Sequence, residues 1–157
     1  MGSKWRSFRE PQLSLPVQQG RLRAIWPQLT TSVARGALVA EGVVRPSAVT
    51  REYRIRLSYV LGRRPRVEVL APRLARRAEA PDVPIPHTYD YTVAGEERPC
   101  VYYPFSREWT PAMPLATTIM PWLLAWLVDY ELWLATGEWM GGGMPHGSRA
   151  KTENTGS

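Results

Sequence analysis

The stretch REYRIRLSYVLGRRPRVEVLAP, residues 51–72, decides the fold. Tyr53, Ile55, Leu57 and Tyr59 alternate with Arg54, Arg56 and Ser58. A period of two puts successive side chains on opposite faces of a strand, so one face is apolar and the other wet. GRRP, residues 62–65, supplies turn chemistry, and RVEVLAP alternates again, which predicts a hairpin. Upstream, GALVAEGVV (36–44) reads as a further strand, giving three consecutive antiparallel strands. Before it, PVQQGRLRAIWPQLTTSVAR (16–35) predicts a first helix, with Leu22, Ile25, Trp26 and Leu29 on one face despite Gly20 and Pro27.

From Arg73 to Pro99 periodicity is lost in a stretch rich in proline and charge, with HTYDYTV (87–93) as a short fourth strand. So long an irregular segment inside a compact domain points to function or mobility. Beyond it Ile119, Trp122, Leu123, Trp126, Leu127, Tyr130 and Leu134 recur at helical spacing as a wide apolar stripe. Pro121 suits a first helical turn or a break between a short helix and a longer one, and Gly137 suits the stop. Helix, strands, irregular loop, helix is an α+β order. The expected organisation is a frayed segment 1–14, one domain over 15–140 and a mobile Gly/Ser-rich tail over 141–157.

The chain has 157 residues with 44% apolar content, enough for one globular core. It carries a single cysteine, which excludes an internal disulfide and points to a reducing, cytosolic compartment. No apolar stretch follows the charged N-terminus, so no signal peptide is expected. The longest uncharged run, Thr110–Val128, holds three prolines and makes a poor membrane span. One cysteine and two distant histidines, His87 and His146, fall short of a metal site, and no Gly-rich phosphate loop precedes a helix, so no cofactor is expected.

Charge is lopsided: 16 Arg/Lys against 4 Glu in residues 1–77, and 4 against 10 acidic residues in 78–157. A basic first half attracts an acidic protein or a nucleic acid. No nucleic-acid motif accompanies the charge, and arginines coating a sheet explain it as well. Eighteen of the 20 basic residues are Arg; the only lysines are Lys4 and Lys151. The Trp-rich stretch PWLLAWLVDYELWLATGEW (121–139) reads as core or as an aromatic face for a partner or a second copy.

Cys100 lies in RPCVYYPFSREWTPAM (98–113), after a proline and outside any periodic apolar element. A lone cysteine is commonly a small buried hydrophobe. A reactive one needs partial exposure and cationic neighbours, and Arg98 and Arg107 are near in sequence. His87, thirteen residues upstream, either orients the loop or stabilises an oxyanion.

RRPRVEVL, PHTY, RPCVYYP and EWTPAM, in this order and followed by a helix, resemble the ubiquitin-conjugating enzymes over roughly residues 36–135. In that family a hairpin is followed by a His-Pro-Asn motif, the catalytic Cys and a Trp-Ser-Pro-Ala-Leu segment that opens a helix. Trp109-Thr110-Pro111-Ala112-Met113 matches the last of these. The resemblance implies the family's fold, with an N-terminal helix, an antiparallel meander, an active-site loop and C-terminal helices, and it implies Cys100 as the thioester-forming nucleophile. His87 is followed here by Thr88 and Tyr89, so the family's Asn has no counterpart; backbone N–H groups, His87 or Tyr89 must take its place. The ending of the chain resembles the bacterial branch found in CBASS antiphage operons. This second resemblance implies a conjugating enzyme that carries the C-terminus of a cyclic-nucleotide synthase (a CD-NTase) and transfers it to an amine, either in a short system that has the conjugating enzyme alone or with activation borrowed from another protein. The alternative on the same fold is a non-catalytic module that scaffolds the synthase.

Overall fold

A computed structural model describes residues 11–141. The segments expected at both ends, with Lys4, His146 and Lys151, fall largely or wholly outside the described residues. The chain runs through helix α1 (Leu15–Ile25), strands β1 (Thr30–Ala34), β2 (Ala37–Val44), β3 (Tyr53–Val60) and β4 (Arg66–Ala71). Two-residue strands β5 (Thr88–Tyr89) and β6 (Arg98–Pro99), a 3-10 turn at Leu115–Thr117 and helix α2 (Ile119–Thr136) complete it. The long strands form an antiparallel meander in the order β1-β2-β3-β4, and the fold is α+β.

The alternation in residues 53–60 is realised. Tyr53, Ile55, Leu57 and Tyr59 are all buried, and across the ladder they meet Val44, Gly42, Ala40 and Leu38 of β2. On the opposite face Arg54 and Arg56 both reach Glu41, at 3.3 and 3.1 Å, while Arg56 and Arg66 reach Glu68 at 3.8 and 3.0 Å. Part of the arginine excess therefore coats a sheet face and is paired there.

The first helix is shorter than expected, and the residues after it form a strand instead. Ser14 caps α1 through its side-chain oxygen, and the helix ends at Ile25, ahead of Pro27, which has no N–H to continue the ladder. Of the expected stripe, only Leu22 is a buried helical residue. Ile25 is half exposed, whereas Leu29 reaches the core from the turn. Thr30–Ala34 then pairs with β2 through Arg35-Gly36, both at positive φ (53° and 71°), the geometry of a type I′ hairpin. Gly42 lets this corner close: a Cβ there would sit 2.7 Å from the Gln28 carbonyl oxygen.

Helix α2 buries Ile119, Met120, Leu123, Trp126, Leu127, Tyr130 and Trp133. Pro121 falls in its first turn, directly after the 3-10 turn, and Gly137 ends it in the left-handed conformation, its N–H donating to the Trp133 carbonyl at 2.8 Å. Trp126 and Trp133 are 4% and 3% exposed. Of the two readings of the Trp-rich stretch, these two indoles take the core one, so no self-association face is built on them, while Trp122 and Trp139 are only partly buried. Among the described residues no helix is long and apolar enough to cross a membrane.

Candidate functional site

The irregular segment is organised by a small ladder. Thr88 pairs with Pro99 and Tyr89 with Arg98, which is all that forms of the strand expected over 87–93. The pairing is extended by one further bond, from the Cys100 amide to the His87 carbonyl, at 2.9 Å. Thr88 is fully buried, its hydroxyl donating to the Ile85 carbonyl at 2.7 Å. His87 and Asp90 bracket β5 with positive φ, 52° and 56°, so the chain turns sharply on both sides of Tyr89. Asp90 accepts from Arg98 Nε at 2.6 Å, and the Arg98 guanidinium lies 5.1 Å from the Tyr89 ring centre.

Cys100 leaves this ladder half-buried, with a free thiol. Its Sγ donates to the Tyr102 carbonyl at 3.1 Å, and the Tyr89 hydroxyl is near enough to influence its titration. Burial pushes the thiol above its ordinary value. The Tyr89 hydroxyl and the Tyr102 main chain act against this, Glu108 adds to it, and Arg98 opposes it more weakly. Burial likewise pushes the Tyr89 phenol up, so it stays protonated and able to donate. Of the two expected cationic neighbours, Arg98 is therefore present in the electrostatics of the sulfur; Arg107 is not.

His87 is brought to Cys100 by its main chain. Its imidazole packs against the Trp139 ring at 5.1 Å, on the side of α2, where Asp129 faces it. Burial raises the Asp129 carboxyl and the nearby imidazole lowers it. Tyr102 is packed between Trp109 and Trp122 at 6.4 and 6.2 Å, and with Gly62, Arg64, Pro104, Trp109 and Pro111 it lines an open cleft of about 380 Å³. Among the described residues no cluster of His, Cys, Asp and Glu is able to hold a metal ion.

Replacing Tyr89 with Phe removes the hydroxyl that lowers the thiol while keeping the ring under Arg98. The thiolate loses that stabilising influence, so the thiol is driven still higher. Alkylation of Cys100 by iodoacetamide at about pH 8 is then expected to slow roughly tenfold, the scale of one hydrogen bond to a charged group. An unchanged rate–pH profile would remove Tyr89 from the site.

A family model described as Type II CBASS E2 protein matches residues 18–147. The chain belongs to this family, which gives it a role in CBASS defence and an association with the CBASS machinery. A search of curated proteins gives no match.

Proposed function

We propose that this member of the Type II CBASS E2 family is a ubiquitin-conjugating-like transferase that carries a partner's C-terminus on Cys100. The carried chain is a CBASS cyclic-nucleotide synthase and the acceptor is an amine. The observation that supports this reading best is the placement of a half-exposed thiol at the end of a two-strand ladder, its amide held by the His87 carbonyl at 2.9 Å.

In the first step the Cys100 thiolate attacks the carbonyl carbon of an activated C-terminus, an acyl adenylate or a thioester supplied by an activating protein. The new S–C bond forms as the bond to phosphate or to the donor sulfur breaks, and that leaving group takes the electron pair. In the second step an amine attacks the thioester carbon, the C–S bond breaks, the thiolate leaves and the amine proton passes to solvent. Both steps pass through a tetrahedral oxyanion. The Tyr89 hydroxyl, which acts on the thiol, is the candidate donor for this charge, a role for which the family's Asn has no counterpart here. His87 serves through its carbonyl, which fixes the Cys100 main chain.

The raised thiol favours the second reading, a non-catalytic module that scaffolds the synthase, because a thiol held protonated is a poor nucleophile. The two are separated by intact-mass analysis of the protein co-expressed with the neighbouring synthase, without reductant, as wild type and Cys100→Ala. A thiol-labile adduct of the synthase mass in wild type and its complete loss in the variant is the expected result. A stable complex in both, with no adduct in either, would establish the scaffold.

A further inference from the structure

We propose that Trp126 is a positioning residue for Cys100, holding the thiol in place through the main-chain carbonyl of His87. That carbonyl receives two donors: the Cys100 amide at 2.9 Å and the Trp126 indole N–H, also at 2.9 Å. A carbonyl oxygen has two lone pairs, so both bonds form at once. The positive φ of His87, 52°, turns its carbonyl in a direction that a histidine seldom adopts. Strain of this kind persists where the surroundings over-determine it, and here they include both hydrogen bonds and the packing of the imidazole on Trp139.

The Trp126 ring is stacked on Tyr130 at 5.5 Å and 10° and rests on Trp139 at 5.5 Å, so its packing holds the indole in the orientation from which its N–H reaches the His87 carbonyl. The fold does not satisfy every buried indole. Among the described residues the N–H groups of Trp109 and Trp139 are buried without a hydrogen-bond partner, whereas that of Trp126 donates to the carbonyl that also receives the Cys100 amide. A rigid helix thus sets the position of a residue in an otherwise irregular segment. The inference rests on the carrier reading for its catalytic consequence, and on geometry alone for its effect on the thiol.

Trp126→Phe keeps an aromatic ring and removes the N–H. With the loop untied from α2, the thiol is less buried and reacts faster with iodoacetamide, while a carrier site that needs a fixed thiol forms adduct more slowly. Changes of about tenfold in opposite directions are expected, the worth of one hydrogen bond. Trp133→Phe, which alters the same aromatic stack through Tyr130, should lower the melting temperature comparably and leave the alkylation profile unmoved. If both variants change alkylation and melting alike, Trp126 is packing and the proposal fails. If wild type forms no adduct but Trp126→Phe still speeds alkylation, the carrier reading falls and the positioning of the thiol stands. A measurement on the wild type alone guards against a variant that does not fold. The Trp126 indole N–H and the Cys100 amide should exchange with deuterium together, and an indole exchanging as fast as an exposed one would overturn the proposal.

Discussion

Glu97→Ala is expected to cost about 3–5 kcal/mol of stability, the loss typical when one member of a buried ion pair is removed. The Glu97 side chain is 0% exposed and that of Arg76 12%, and their Oε1 and Nε atoms are 2.6 Å apart. The other Glu97 oxygen accepts from the Gly95 amide at 2.8 Å. Arg76 spends its remaining donors on the carbonyls of Tyr91 and Pro81, at 2.8 and 3.3 Å. One ion pair therefore ties five points of a segment that has almost no regular structure of its own. Without Glu97 the guanidinium stays buried beside carbonyls that only partly compensate its charge. Two parallel measurements test this: urea unfolding, and alkylation of Cys100, which lies three residues beyond the pair and should become more accessible. Glu97→Gln keeps an acceptor for Gly95 and should fall between Ala and wild type. An alanine variant within about 1 kcal/mol of wild type would show that the segment is held elsewhere.

That pair marks the limit of what the sequence makes legible. Residues 53–60 declare a strand because every second side chain is apolar, and the ion pairs of Arg54 and Arg56 with Glu41 on the other face arise from the same alternation. Helix α2 and its stop at Gly137 are readable for similar reasons, since burial follows the spacing. Periodicity says nothing of residues 73–99, where order comes from polar ties between positions such as Arg76 and Glu97. The β1 strand was legible in principle: Pro27 stops a helix, Thr30, Thr31 and Val33 are β-branched, and Arg35-Gly36 is turn chemistry. The Leu22–Leu29 spacing outweighed those signals. Trp126 and Trp133 show a further limit. Composition marks them as numerous but does not tell a core face from an exposed one. The site is split in the same way. Cys100 and His87 are visible as rare residue types, but that His87 meets Cys100 through a carbonyl, and that Tyr89 acts on the thiol, depends on a two-residue ladder too short to leave a pattern.

Gln18→Leu is the second large loss expected, about 2–5 kcal/mol, because it orphans a buried donor and a part-buried acceptor together. Gln18 is 0% exposed although it lies on a helix. Its Nε2 donates to the Met113 carbonyl at 3.0 Å, and its Oε1 accepts from the Leu115 amide at 2.8 Å. Pro114, between them, has no N–H to offer, so one side-chain amide satisfies both main-chain groups that flank it. This clamp fastens the end of Trp109-Thr110-Pro111-Ala112-Met113 to α1, and Leu13 adds to it by donating its amide to the Pro111 carbonyl at 2.9 Å. Leucine fills the same volume without either hydrogen bond, so any loss measured by urea unfolding reports the hydrogen bonds and not a cavity. Gln18→Glu separates the two contacts, since a carboxylate still accepts from Leu115 but presents an oxygen to the Met113 carbonyl. It should be at least as damaging as leucine near neutral pH and recover partly in acid, where the protonated carboxyl donates again. Were leucine to cost less than about 1 kcal/mol, solvent would be reaching Met113 and Leu115, and the segment would not depend on α1 for its position.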